Sequence, residues 1–361
     1  MAGLGSGDAQ HVAKRIVLLA VIAVLSACSA SPESVLDDYA QRVARVLNVE
    51  LDAEQSLDPL PKLRIQDNHI EVHATQINLL DFLRLSSCEL SRVIGQRNSS
   101  LGKLALPSQR LHMERDFLLL GPACVQQLEQ TQPELAETLA SVLVAKRAER
   151  MDSWWNAWFT GHEWQSLISP ATQPVPIAPA SADNLDIALQ VFDYLLQQGN
   201  RWQGQQFDYD DTEMELQQQQ WLLSEAIGQW LQSQRLLTRV NNQVAELLEY
   251  RTNVKSLCLV GRSTPTADIL NNVFYKYYAG VLQPYMSRVD RFGTAIMLDL
   301  NAVRTLVPVP DAYLTWLQQV SVERDKLTRS HQRHVKAWQG ILSQCGLMPT
   351  GANGASHLSD N

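Results

Sequence analysis

The stretch Trp230-Leu231-Gln232-Ser233-Gln234-Arg235-Leu236-Leu237-Thr238-Arg239-Val240-Asn241-Asn242-Gln243-Val244 sits in a run of sevens. Leu223, Trp230, Leu237 and Val244 recur every seven residues, and Ala226, Ser233, Val240 and Leu247 supply a second seam position. Two apolar seams at that spacing predict a long helix, from about Asp211 towards Cys258, packed in coiled-coil fashion. Downstream, Tyr313, Leu317, Val320, Leu327, His331, His334, Trp338, Ile341 and Cys345 fall on three- and four-residue steps, with Arg324 in the series. That pattern predicts another long amphipathic helix. Between them, Thr264-Pro265 opens a helix lined by Ile269, Leu270, Val273, Phe274, Tyr277, Tyr278, Val281 and Leu282. Pro284 is expected to kink it before it resumes through Val289, Phe292, Ile296 and Leu300. These segments predict an all-α architecture of long antiparallel helices packed as a bundle over 183–346.

Upstream, helices are expected from Ser31-Pro32-Glu33 (a cap, a first-turn proline and an acid), over 78–97, and from Ser108 to Leu120. Gly121-Pro122 should end the last of these, and Cys124 should open the next, which Pro133 interrupts. Partial alternation over 64–77 predicts a minor extended segment. Residues 169–182 hold four prolines and read as a loop between an N-terminal helical half, 28–168, and the long-helix bundle. After Gly346 the Gly-, Ser- and Asn-rich tail, 347–361, reads as disordered.

The N-terminus carries the strongest functional signal. Lys14 and Arg15 precede an apolar run, Ile16 to Leu25, and then Leu25-Ser26-Ala27-Cys28. This has the layout of a signal peptide, residues 1–27, too short to span a bilayer as a mature helix. It resembles a bacterial lipobox, which implies lipid attachment at Cys28, and Ser29 implies sorting to the outer membrane rather than retention at the inner one. The expected location is periplasm-facing and lipid-anchored. The chain carries a net charge of −8. Such a body is repelled by nucleic acid and by anionic head groups, so the membrane contact expected is the lipid itself. Four cysteines remain in an oxidising compartment: Cys88, Cys124, Cys258 and Cys345. Three connectivities exist. Cys88–Cys124 and Cys258–Cys345 are favoured, because each pair lies near the ends of neighbouring predicted helices.

Candidate sites are few. Trp154, Trp155, Trp158 and Trp164, with His162 nearby, form an aromatic group that can pack a core or offer a ligand or partner surface. His69, Glu71 and His73 would share one strand face. His331 and His334 lie on the apolar stripe of the last helix. Either histidine pair is a weak metal candidate without further ligands. No Ser-His-Asp, Cys-His or paired-carboxylate arrangement stands out, and no cofactor is called for.

Leu79-Leu80-Asp81-Phe82-Leu83, Cys88-Glu89-Leu90, Arg97-Asn98-Ser99-Ser100-Leu101-Gly102, Cys124, Asn272-Val273-Phe274, Tyr278-Ala279-Gly280 and Gln283-Pro284-Tyr285 resemble a family of bacterial envelope lipoproteins, domain of unknown function 3080. The resemblance supports the lipoprotein reading and implies no activity. A non-enzymatic scaffold or partner-binding lipoprotein is therefore expected, with an envelope protein as its partner. The alternatives are a small-ligand-binding helical domain, with its pocket among the aromatics of 154–164 and 274–285, and a metal-dependent enzyme.

Overall fold

The computed structural model describes residues 31–51, 59–73, 84–178, 184–259 and 261–348. Cys28, where lipid attachment is expected, Leu79–Leu83 and most of the tail lie outside them. Among the described residues the regular elements are all helices, with no strand; irregular chain connects them.

Ser31 caps α1 (Pro32–Leu47): its side chain accepts the Ser34 N–H, and Pro32 fills the first turn. The helix buries Leu36, Tyr39, Val43 and Leu47. The expected extended segment is partly a 3₁₀ turn, Ile65–Asn68, followed by irregular extended chain. Its backbone finds a side chain instead of a neighbouring strand. Asn156 accepts the Ile70 N–H at 2.9 Å and donates to the Ile70 carbonyl at 2.7 Å. One primary amide thereby satisfies the groups a sheet would have satisfied.

Of the helix expected over 78–97, the described part is a 3₁₀ turn at Leu85–Ser87 and α2 (Leu90–Asn98). A single-turn α3 (Ser100–Lys103) follows. The next helix, α4 (Pro107–Glu129), runs straight through Gly121-Pro122, where the sequence predicts a stop, so Cys124 is an interior residue. The proline removes one intrahelical hydrogen bond, which tertiary packing outweighs here. Gly121 admits Leu143 so closely that a Cβ would lie 2.5 Å from its Cδ2. That contact holds α4 against α5 (Pro133–Ala148). Then come α6 (Arg150–Phe159), α7 (His162–Ile168) and α8 (Asn184–Gln203). Within 169–178 the chain is packed against the bundle: Val175 is buried, its N–H bonds to Ser233, and its carbonyl accepts from Tyr285.

The long helix expected from 211 is two helices, α9 (Asp211–Ser224) and α10 (Ala226–Asn253), broken at Glu225 with φ +46°. The reason lies in two tryptophans. Trp221 and Trp230 are nine residues apart and would face opposite sides of a continuous helix. Both are buried, Trp221 among Trp158, Trp164 and Phe192, and Trp230 against Phe292. The break turns both inward and leaves Leu223, expected on the seam, 73% exposed.

After α11 (Pro265–Val273) the backbone adopts a π register over Phe274–Leu282, and α12 (Gln283–Ala302) follows. The expected kink at Pro284 is replaced by this widening. Proline has no N–H and crowds the carbonyl four residues back, and here the register widens in the turns ahead of it, unlike at Pro122. The π stretch ends just before it, with the Gln283 N–H on the Tyr278 carbonyl.

The last helix is α13 (Asp311–Gln344). It runs antiparallel to α12, as Tyr313 bonding to Leu300 and Arg324 to Thr294 require. Its most extensive partner, α10, runs parallel to it, contrary to the antiparallel expectation. Asn241 meets Ser330, Thr252 lies beside Gly340, and Ser256 bonds to Gln344, so both helices advance together. One apolar core includes residues from both sides of the proline-rich loop.

The sulfurs pair as favoured above. Cys88–Cys124 stand 2.15 Å apart and tie α4 to the chain before α2. Cys258–Cys345 stand 2.00 Å apart and join the segment after α10 to the end of α13.

Two substitutions at the α9–α10 junction should move stability in opposite directions. Glu225→Gly relieves a left-handed backbone at an exposed position and is expected to stabilise by about 1 kcal/mol. Gly228→Ala puts a Cβ 1.8 Å from the Ser169 carbonyl oxygen and is expected to cost about 1–3 kcal/mol. Urea unfolding curves of the two variants check the signs.

Candidate functional site

The aromatic group does not form a surface. Trp154, Trp155, Trp158 and Trp164 are at most 1% exposed, and all nine tryptophans of the chain are buried. Trp154 and Trp158 donate to one oxygen, Gln198 Oε1, at 3.2 and 2.7 Å. Trp155 donates to the Asn68 carbonyl at 2.7 Å. Phe159 stacks on Trp155 at 4.3 Å and meets Trp164 edge-on at 4.8 Å. Indoles carry too much apolar area to leave in water when helices can close over them. His162 stands outside this core, exposed at the start of α7.

The histidine pairs separate. His73 is exposed, and its Nδ1 lies 2.5 Å from Glu149 Oε1; that hydrogen bond raises its pKa. His69 lies at a cleft described below. His331 is half-buried, whereas His334 is fully enclosed. Trp338 Nε1 donates to Tyr39 Oη at 2.8 Å, which leaves the Tyr39 hydroxyl to donate to His334 Nε2, also at 2.8 Å. That tautomer carries its proton on Nδ1, away from the tyrosine. The ring closes the contact between α1, α13 and the π segment, where Tyr278 meets it edge-on at 4.7 Å. Among the described residues no three His, Cys, Asp or Glu side chains converge on a metal position.

A concave feature with convergent polar groups around a buried carboxylate lies elsewhere. It is an open cleft of about 330 Å³ where the extended chain at His69 and Val72 meets the end of α2, the start of α4 and the face of α6. Arg97, Arg110 and Glu114 line one side; Ser153, Asn156 and Thr160 line the other. Glu114 is buried on the apolar face of α4, beside Leu111, Phe117 and Leu118. Lys146 from α5 binds both its oxygens, at 2.9 and 2.6 Å, and Arg97 closes on Oε1. Two cations on one carboxylate leave this corner net positive, although the chain as a whole is acidic. Arg110 is braced by the carbonyls of Ala105 and Lys103, both at 3.1 Å. The arrangement suits a small anion or an acceptor-rich polar group.

These residues come from segments 17 and 32 positions apart in the chain, so no local motif announces them. One signal is readable in retrospect: Glu114 interrupts an apolar helical stripe. A second cluster also escaped the sequence reading. His112 Nδ1 lies 2.7 Å from Tyr209 Oη, its Nε2 lies 3.0 Å from Glu215 Oε1, and Arg115 pairs with Asp211. It ties α4 to α9 and the chain before it.

A helical domain closed around an indole core, with a small positively charged cleft at one edge, describes the class. Within that class, the chain belongs to the family described as "Protein of unknown function (DUF3080)", which matches residues 36–349. Comparison with curated proteins gives no match, and neither does comparison with solved structures.

Breaking the buried ion pair from one side should be costly. Glu114→Ala leaves Lys146 enclosed without its carboxylate and is expected to destabilise by about 3–5 kcal/mol. Glu114→Leu combined with Lys146→Met should cost much less, as chemical denaturation of both variants would reveal.

His334 should make the fold acid-sensitive. Burial lowers its pKa to about 3, with the nearby His331 acting in the same direction. A depressed histidine favours the neutral ring in the folded state. Its contribution is therefore complete above the unfolded value, about 6.5, and is lost as pH falls towards 3. Half-buried His331 acts in the same direction. Unfolding free energy measured from pH 7 to pH 4 should fall, and His334→Gln should flatten that fall.

Proposed function

We propose that this chain is a lipid-anchored envelope protein, facing the periplasm from the outer membrane, whose rigid helical body is a non-enzymatic scaffold or partner-binding module. The observation that carries the reading is how α1 is placed. It begins at Pro32, four residues beyond the lipobox cysteine, and packs lengthwise on α10. Asp37 pairs with Arg239 at 2.6 Å, and Val49 and Leu51 reach Gln243–Tyr250. Tyr39 joins the helix to His334 and Trp338. Lipid on Cys28 would thus be coupled to the core almost without slack. Two cysteine pairs at disulfide distance fit an oxidising compartment. No described helix is long and apolar enough to cross a membrane.

The cleft beside Glu114 supports a second reading, a module that holds a small polar ligand. It replaces the expected pocket among the aromatics, whose indole members pack as solid core.

Metabolic labelling tests the anchor. Radiolabelled palmitate should enter the wild-type chain and not Cys28→Ala, and Ser29→Asp should move the protein from the outer-membrane to the inner-membrane fraction on a density gradient. Label in Cys28→Ala equal to wild type would remove the reading. Crosslinking in intact envelopes then separates the two roles: a stoichiometric protein partner supports the scaffold, and a co-purifying small anion supports the ligand module.

A further inference from the structure

Between Glu89 and Glu114 the chain has no acidic residue, but it has Arg92, Arg97, Lys103 and Arg110. In a protein of net charge −8 this is a local reversal of sign. The same stretch carries the two most exposed leucines among the described residues, Leu101 at 83% and Leu104 at 81%, with Leu106 also exposed at 47%. Isolated exposed leucines are ordinary, but three within six residues, ringed by cations, are not.

The turn that presents them is built to hold its shape. Ser99 Oγ accepts the Gly102 N–H at 3.0 Å and closes the single turn of α3. Gly102 lies so close to the end of α2 that a Cβ there would stand 2.1 Å from the Gln96 carbonyl oxygen. Arg110 straps the far side through the carbonyls of Lys103 and Ala105. The leucines therefore project from a braced mount, and the cleft with Arg97 and Arg110 opens at its foot.

We propose that the turn Ser100–Leu106 is a membrane-contact element: its leucines enter the interface of an anionic bilayer while Lys103 and the Arg97–Arg110 side of the cleft meet lipid phosphates. The inference extends the envelope reading above. Charge selects the occupant, because apolar side chains framed by cations match anionic head groups. From Cys28 to Pro32 the chain spans at most roughly 14 Å, so an acylated body stays close to a bilayer.

The test uses the chain from Ser29 onward, which retains every described element and needs no acyl group. It is sedimented with vesicles of phosphatidylcholine and of phosphatidylcholine mixed with phosphatidylglycerol. Binding to the mixed vesicles alone is expected, weakening with salt. Leu101→Asp with Leu104→Asp should lower it by about tenfold or more, and Lys103→Glu by about fivefold or more. Leu101→Ser with Leu104→Ser serves as a milder pair, and an unchanged thermal midpoint shows that each variant is folded. Free glycerol phosphate should compete only at the cleft and leave the leucine-dependent part intact. Equal binding of wild type and the leucine variants overturns the proposal, as does no binding to either vesicle. Because no lipid on Cys28 is involved, failure here and failure of palmitate labelling are separate results.

Discussion

Everything in this fold answers to the need to bury indole rings. Trp158, Trp164 and Trp221 come from three helices and meet around Phe159 and Phe192, while Trp316 and Tyr313 close the group from the start of α13. Rings of this size dominate the energy of any core that contains them. Their polar edges then dictate smaller choices. One glutamine oxygen, on Gln198, serves two indoles, and an asparagine carbonyl at the end of a 3₁₀ turn serves a third. The left-handed residue Glu225 is tolerated because it lets Trp221 and Trp230 both face inward. Backbone strain of about 1 kcal/mol is small beside the cost of leaving either ring in water.

The long helices were legible because their apolar residues repeat over many turns, so each additional turn reinforces the same face. The stripe from Tyr313 to Ile341 corresponds to one uninterrupted helix. What failed was punctuation. Pro122 and Glu225 give the opposite result from their local preference: the proline lies inside a helix and the glutamate breaks one. In both places tertiary packing decides: Leu143 against Gly121 at the proline, and the burial of both Trp221 and Trp230 at the glutamate. Relative direction was also beyond a periodic pattern, since a seam looks the same to a parallel and an antiparallel partner. The parallel pairing of α10 and α13 depends on the route taken by α11 and α12.

The candidate sites show a similar division. Tryptophans clustered in sequence were visible, but their role follows from which faces neighbouring helices cover. His334 stood on an apolar stripe, and the structure completes it with a hydroxyl from α1, 295 residues away in the chain. The cleft at Glu114 assembles from distant segments, so only its oddest member, a carboxylate on an apolar face, left a trace in the sequence.

The course of α1 has a mechanical consequence. It lies alongside α10 and points the same way, with its contacts spread from Asp37 to the residues just beyond Leu47. A pull applied to the chain ahead of Pro32 would act along the helix axis and load those contacts together, in shear. A helix crossing the bundle end-on would instead peel away one turn at a time. The Cys258–Cys345 link, at the far end of α10 and α13, keeps the two helices beneath it from sliding past each other under the same load.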